Sequence, residues 1–340
     1  MPENLLSTEN ASHHRIVSLD VIKILSAFMV VFYHFRYMDP GHFKGGSYVM
    51  SAPQFLLCFC SASIPMFFMV NGALMLNKNR SVQEIYRKAG RLALVSLVWN
   101  RLVGFYTWFF YALIVLYLLY PIFIRAFNAE NRIYLYLIMA AVFVMPFMYN
   151  FVVLLLERFC PDFSFIFFGQ TISLKTIPLR TGVHRLYSIL YFLLGGVLLN
   201  KRVSPILSLS SIILGQAITV WDVIVTSNYT GKIADAVNSC FPTVGGLLLA
   251  FGFFTLLRVF DCVDDPKATR LLASFGGEGV LMVYLLHVRI RTFLSATVLP
   301  PTHRYSIFVI LCVSAAVCVF CWLVSQAVKR IPLLKELIKL

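Results

Sequence analysis

The feature that most constrains this chain is a series of long apolar runs separated by short polar segments. A helix needs roughly 20 mostly apolar residues to cross the hydrocarbon core of a bilayer, and several of these runs are that long. Only 13% of the 340 residues are charged, about half the share typical of a soluble domain. Backbone groups in lipid must be satisfied within the segment, and the alternation expected of a barrel is absent. The sequence therefore predicts an all-α, polytopic integral membrane bundle of about ten transmembrane helices.

The apolar runs also set the predicted boundaries of the chain's parts. Residues 1–14 are polar and are predicted to be a cytoplasmic tail, 15–328 a single transmembrane domain, and 329–340 a basic cytoplasmic tail. The first apolar run is long enough to span, so we expect a retained helix rather than a cleaved signal peptide. The predicted spans are 16–36, 54–76, 92–104, 105–124, 133–156, 183–199, 205–225, 241–260, 275–297 and 305–327.

Segment 92–124 is the ambiguous part of this topology, because it runs for about 33 residues without a polar loop. It could cross the membrane once or twice. Basic residues concentrate in cytoplasmic loops, and two crossings preserve that bias along the rest of the chain. We therefore expect a short crossing at 92–104 followed by a full one.

The net charge of +14 and the eight cysteines identify no further partner. Basic residues are expected in the loops of a membrane protein, and no basic stripe with interleaved aromatic residues lies outside the apolar runs, so we do not expect nucleic-acid binding. The chain has no CxxC pair and most of its cysteines lie in apolar runs, where they act as small hydrophobic residues. No metal site is predicted.

The first predicted span carries three ionisable residues on one helical stripe: Asp20, Lys23 and His34. At about 100° per residue, Lys23 and His34 differ by roughly 20° in direction and by about 16 Å along the axis. Ionisable residues in a membrane usually face the bundle interior or a wet cavity. One interpretation is that Asp20 and Lys23 pair with each other and that His34 is interfacial. The other is that Lys23 helps to hold an anionic donor while His34 acts as a base or acyl carrier.

This first span resembles the opening of the membrane acyltransferase-3 family, the bacterial surface-polysaccharide O-acyltransferases. The resemblance rests on SLDVIKILSAFMVVFYHF, with Lys23 where the family usually has Arg. Later stretches that are similar to the family, in the same order, are SASIPMFFMVNGALML, YRKAGRL, TWFFYALIVLYLLYPI, YFLLGG and YLLH.

The resemblance implies transfer of an acyl group, acetyl in the leading interpretation, from acyl-CoA to a hydroxyl of a surface polysaccharide or lipid-linked glycan. It implies acetyl-CoA or another acyl-CoA as co-substrate, no permanently bound cofactor, and a place in the bacterial cytoplasmic membrane with both termini cytoplasmic. The site residues expected on this basis are catalytic His34 and Asp20, donor-binding Lys23, Arg87 and Arg91, and substrate-binding Glu278, His287 and Trp108.

Two of these expectations also rest on helical spacing. Arg87 and Arg91 are four residues apart, so they share one face of a helix that enters from the cytoplasm, where coenzyme A is found. Glu278 and His287 are nine residues apart, about 180° around a helix, so they cannot share a face. We expect Glu278 at the inner mouth of the bundle.

Two alternatives stay open from the sequence. A transporter or flippase of glycans or lipid-linked sugars would also need buried charges and aromatic residues. An inactive, shortened paralogue is the other alternative, because Arg91 and Trp108 are only 17 residues apart where the family has a complete helix and an outer loop.

Overall fold

The computed structural model describes residues 15–78, 80–103, 108–167, 170–173, 186–263 and 265–331. The predicted tail 1–14 and most of the predicted tail 329–340 lie outside these residues. The helices are α1 Val17–His34, α2 Ala52–Phe59, α3 Ser63–Leu76, α4 Val82–Val103, α5 Trp108–Leu118, α6 Tyr120–Asn128, α7 Ile133–Val142, α8 Tyr149–Phe159, α9 Tyr187–Leu199, α10 Pro205–Thr230, α11 Val244–Leu256, α12 Pro266–Ser274, α13 Val280–Thr297 and α14 Ile307–Val328. The strands are β1 His42–Lys44, β2 Ser47–Val49, β3 Ser164–Phe167 and β4 Gln170–Ser173, in two antiparallel hairpins.

The predicted all-α membrane bundle is confirmed, and each of the ten predicted spans corresponds to a helical segment. Seven segments are long and apolar enough to cross a bilayer: Val17–His34, Ala52–Leu76, Ile133–Phe159, Pro205–Thr230, Val244–Cys262, Pro266–Thr297 and Ile307–Val328. An eighth candidate is the pair α5 and α6, which is bent by 55°. The other two segments are α4, which is rich in charged residues, and α9, which has 13 residues.

The expectation of a short helix at 92–104 is wrong. Helix α4 begins at Val82, ten residues earlier, and has 22 residues, enough for about 33 Å. Its first half carries Glu84, Arg87, Lys88 and Arg91, and these charges hid the start of the helix from an assignment based on apolar runs. Helices α4 and α5 are separate elements that pack against each other, whereas residues 104–107 between them lie outside the described part of the chain.

Large apolar side chains cover much of the outside of the bundle. Ile206 is 79% exposed, Phe308 74% and Leu97 62%. Exposure on this scale would be costly in water, at roughly 25 cal/mol per Å² of apolar surface, and it costs nothing against lipid chains. The outer surface is therefore suited to a bilayer, while Asp20 and His287, discussed below, are buried inside the bundle.

Close helix packing in the centre depends on glycine. A Cβ atom at Gly72 of α3 would lie 1.7 Å from the Phe192 carbonyl oxygen of α9, and one at Gly195 of α9 would lie 1.9 Å from the Met69 carbonyl oxygen of α3. Small residues at such contacts let two backbones approach closely in membranes. This pair of helices forms a fixed wall beside α1, which packs against α3, α13 and α14.

A π-helical turn, Phe275–Gly279, bends the segment that leads from α12 into α13. Gly277 has non-helical angles there, and a Cβ atom at Gly276 would lie 2.9 Å from the Cα atom of Asp20. The turn therefore brings the backbone of this segment against the beginning of α1. We call this level of the bundle the Asp20 end, and the level where α1 finishes the His34 end.

Candidate functional site

Helix α1 carries ionisable groups into the bundle at both of its ends. Asp20 is 3% exposed and the Lys23 side chain 20% exposed, and His34 is half-buried in the last turn of the helix. The predicted stripe therefore faces the interior of the bundle. The structure nevertheless divides it into two sites, because about 16 Å separates Lys23 from His34 along the axis.

At the Asp20 end, one buried carboxylate holds two cations. Arg15 Nε lies 2.6 Å from Asp20 Oδ2, and Lys23 Nζ lies 2.7 Å from Asp20 Oδ1. Arg15 also donates to the Ala273 carbonyl oxygen at 3.0 Å. Glu278 belongs to this end as well, where it pairs with Lys329 at 2.9 Å. The cluster offsets the burial cost of Asp20 and leaves an excess of positive charge.

At the His34 end, a cavity of about 290 Å³ opens between α1, α3, α5, α13 and the loop 231–243. Its wall includes His34 and His287, whose ring centroids are 4.9 Å apart. The remaining lining residues are Val30, Tyr33, Arg36, Ser63, Ile64, Trp108, Val237, Asn238, Phe241, Tyr284, Val288 and Arg291. Two imidazoles thus share one partly open cavity that is lined by both apolar and polar side chains.

Helix α13 fixes the orientation of the His287 ring. The side chain is 4% exposed, and its Nδ1 atom lies 2.8 Å from the Val283 carbonyl oxygen and 3.0 Å from that of Tyr284. Because two carbonyl oxygens face Nδ1, this nitrogen carries the proton. In the neutral tautomer Nε2 is then an acceptor, and it is buried without a hydrogen-bond partner in the described chain.

Aromatic side chains join α13, which carries His287, to α5, which carries Trp108. The Tyr284 ring lies 5.0 Å from the Phe110 ring and 5.3 Å from the Phe109 ring, measured between centroids. These contacts join α13 to the start of α5, where Trp108 lines the cavity. Tilted aromatic pairs at such distances add to the packing of buried rings, so the walls that carry His287 and Trp108 are fixed relative to each other.

A polar clamp ties the end of α1 to the loop 231–243. Tyr33 donates to Asp235 Oδ2 at 2.6 Å, Arg36 lies 3.1 Å from the same oxygen, and Asn238 donates to the Tyr33 hydroxyl at 2.6 Å. Burial alone would raise the pKa of Asp235, but the hydrogen bond from Tyr33, the backbone N–H of Val237 and the nearby Arg36 hold that pKa below its ordinary value. The clamp keeps an ionised carboxylate beside the cavity.

Three of the eight predicted site residues line the cavity at the His34 end: His34, His287 and Trp108. Asp20, Lys23 and Glu278 lie at the other end. Asp20 is about 21 Å along α1 from His34, so it cannot act directly on that imidazole. Glu278, predicted at the inner mouth, is paired with Lys329 and is not part of the His287 wall. Arg87 and Arg91 are exposed on α4 and do not line the cavity.

The sequence interpretation missed Arg36, Asp235 and Arg291. A usable signal existed for Arg291, because it follows His287 by four residues and therefore shares a helix face with it. Asp235 lies in a loop with no motif around it, and only the tertiary structure places it against Tyr33. Within the described ranges, no group of three or more His, Cys, Asp or Glu side chains converges as a metal site would require.

Comparison with protein families gives one match, in the first third of the chain. Residues 16–107 match the acyltransferase-3 family model, whose description is "Acyltransferase domain". The match contains all of α1 and reaches to the end of α4, so it includes His34. It confirms the family resemblance and supports an acyltransferase. No curated protein and no solved structure matches the chain.

Proposed function

We propose that this chain, whose residues 16–107 match an acyltransferase domain, transfers an acyl group from acyl-CoA to a hydroxyl of a surface polysaccharide or lipid-linked glycan. Acetyl is the leading choice of acyl group. The observation that carries the proposal is the His34–His287 pair, with ring centroids 4.9 Å apart on one cavity wall. Imidazole is the side chain best suited to move a proton near neutral pH.

In the proposed reaction His34 is the base. It takes the proton of the acceptor hydroxyl as that oxygen attacks the thioester carbonyl carbon. The tetrahedral intermediate collapses by breaking the carbon–sulfur bond, and the proton on His34 passes to the departing thiolate of coenzyme A. The products are an O-acyl ester and free coenzyme A, and no further reactant is consumed.

His287 is proposed to position the acceptor. Its Nε2 atom is a buried acceptor whose ring cannot turn away, since Nδ1 is held by two carbonyl oxygens. A sugar offers neighbouring hydroxyl groups, so one can donate to His287 while the next faces His34. Trp108 supplies an apolar face beside them, as aromatic side chains do for large amphipathic ligands.

The donor is proposed to bind from the Asp20 end, which would face the cytoplasm of a bacterial cell. Lys23 and Arg15 supply positive charge there. Arg87 and Arg91 are proposed to add to it from α4, which packs against α5 and α13. Asp20 acts as a positioning residue that holds Arg15 and Lys23 in place. The thioester would have to extend about 16 Å along α1 to reach His34, so the phosphates of coenzyme A stay at the Asp20 end.

The proposal is tested by following the transfer of label from labelled acyl-CoA to glycan. The full chain, purified in detergent and given membranes that carry surface glycan, should release coenzyme A and transfer the label to glycan. His34→Ala should lower both by about 10²–10⁴-fold, whereas His303→Ala, which removes an exposed histidine, should leave both unchanged. In liposomes that contain the purified chain, movement of glycan across the membrane without release of coenzyme A would instead identify a transporter and refute the enzyme assignment.

A further inference from the structure

The cavity contains an arginine that the proposed reaction does not use. Arg291 lies one helical turn beyond His287 on α13, about 6 Å further along the axis and on the same face, and it lines the same cavity. It belongs to the end of the bundle that positive-inside bias would leave poor in basic residues. An arginine that lines a cavity at this level calls for a reason other than membrane anchoring.

Arg36 and Arg291 differ in how their charges are balanced. Arg36 pairs with Asp235 at 3.1 Å, and its guanidinium also lies over the Tyr33 ring at 4.6 Å. The Nε atom of Arg291, in contrast, is buried without a hydrogen-bond partner, and none of the ion pairs formed by the described residues includes it. Among the described residues, the cavity therefore holds one cation, Arg291, that forms no ion pair with a carboxylate.

A partly buried cation whose Nε atom lacks a hydrogen-bond partner is costly, and an anionic ligand would lower that cost. The planar guanidinium binds carboxylate and phosphate groups through two parallel hydrogen bonds. A second unsatisfied group faces the same space, because Nε2 of His287 is buried with no partner among the described residues. Together they suit a ligand that presents an anion to Arg291 and a hydroxyl hydrogen to His287.

Either substrate could supply the anion, because both coenzyme A and many glycans are anionic. The cavity of about 290 Å³ is just below the range of about 300–1,000 Å³ for ligand sites, which suits one sugar unit rather than a nucleotide. The cations at the Asp20 end lie about 16 Å or more away along α1, and the phosphates of coenzyme A are assigned to them. The acceptor is therefore the better source.

We propose that the acceptor glycan carries a carboxylate or phosphate group, and that Arg291 binds this group beside the hydroxyl that is acylated. This inference rests on the proposed function and narrows its substrate class to acidic glycans. Arg291 acts as a specificity-determining residue. It selects the acceptor through its charge and takes no part in the proton transfer.

Matched acceptors test this inference in the full chain in detergent micelles. With one acyl-CoA as donor, methyl glucuronide and glucose phosphate should be acylated with a kcat/KM at least about 10-fold above that of methyl glucoside, as expected for a hydrogen bond to a charged group. Arg291→Gln should remove this preference by raising KM for the acidic acceptors, with little change for the glucoside. Arg289→Gln, an exposed arginine on the same helix, should keep it. Equal use of all three acceptors by the wild type, or an equal loss in both variants, would overturn the inference.

A binding measurement separates failure of the inference from failure of the proposed function. Methyl glucuronide should raise the unfolding temperature of the wild type but not that of Arg291→Gln, even if no acyl transfer is detected. That result would support the anion site while the enzyme assignment fails. If adenosine bisphosphate, the phosphate-bearing end of coenzyme A, displaces the glucuronide and loses its own effect in Arg291→Gln, the anion comes from the donor and the acceptor assignment is overturned.

Discussion

At the scale of single residues, the site depends on how firmly each imidazole is held. Two carbonyl oxygens anchor His287 through Nδ1, so its Nε2 atom points in a set direction. His34 sits at the last turn of α1, beside a clamp made by Tyr33, Arg36 and Asp235. The two residues are therefore positioned by different parts of the fold, and their substitutions should have different effects.

His287→Asn is predicted to raise KM for the glycan acceptor more than it lowers kcat. The substitution removes the anchored ring nitrogen that accepts a hydrogen bond, while His34 remains to take the proton. Steady-state kinetics with varied acceptor at saturating acyl-CoA would measure the split, with His42→Asn as a control on an exposed strand. A loss confined to kcat would assign His287 to the proton transfer instead.

The clamp predicts a pH dependence of stability. The pKa of Asp235 is held below its ordinary value in the folded chain, so its carboxylate stabilises the fold above about pH 4, the ordinary Asp pKa, and this contribution is lost as the pH falls through the lowered value. Asp235→Asn should cost about 1.5–3 kcal/mol at neutral pH, the range for hydrogen bonds to a charged group. Thermal unfolding in detergent should show the gap between variant and wild type closing as the pH falls below 4. A gap that stays constant over that range would contradict the assignment.

How far the sequence predicts the site is visible in particular residues. Spacing along α1 was sufficient to direct Asp20, Lys23 and His34 inward, because a helix fixes relative direction. Spacing cannot show that Asp20 forms ion pairs with Arg15 and Lys23. Nor can it show that the His34 ring contacts the ring of His287, which lies on a different helix, α13. Those contacts depend on how helices dock, which no single segment determines.

At the scale of helices and strands, the wall beside α1 depends on the contact between α3 and α9. Gly72→Ala should destabilise the bundle by about 3 kcal/mol or more, since the new methyl group would overlap backbone that cannot retreat. Gly90→Ala is the matched control, because a Cβ atom there meets nothing within 4 Å and alanine favours a helix by up to about 1 kcal/mol. The unfolding temperatures of the Gly72→Ala and Gly90→Ala variants, measured in detergent, would be compared with that of the wild type. Equal temperatures for the two variants would refute the close contact.

Helix positions are predicted from the sequence where they depend on the local segment, and are missed where they depend on packing. Every predicted span corresponds to a helical segment, because length and apolar content are local properties, whereas the short helix α12, Pro266–Ser274, lies outside the predicted spans. It placed the start of α4 ten residues too late because Arg87 and its charged neighbours broke the apolar run. The bend between α5 and α6 was also missed, since it depends on packing beyond the segment.

At the scale of the whole molecule, the two ends of the bundle have different chemistry. The Asp20 end combines Arg15, Lys23 and Lys329 with two carboxylates. The His34 end has two neighbouring imidazoles. It also has Arg291, which forms no ion pair among the described residues. A reaction between a donor from one side of a membrane and an acceptor from the other requires this kind of division.

This division predicts the behaviour of a variant at the Asp20 end. Arg87→Gln combined with Arg91→Gln should raise KM for acyl-CoA by about 10-fold, with kcat little changed, because lost phosphate contacts weaken binding and not the chemical step. The exposed Lys201 serves as control through Lys201→Gln. An unchanged KM in the double variant, measured over a range of salt concentrations, would exclude Arg87 and Arg91 from the donor site.

The most direct test of the central claim is a double-mutant cycle between His34 and His287, read as kcat/KM for acyl transfer from labelled acyl-CoA to glycan. If both imidazoles act on one acceptor in one cavity, the double alanine variant should lose little more activity than the His34→Ala variant alone. If the two losses simply add, or if His287→Ala retains full activity, the paired cavity is not the place where the acyl group is transferred.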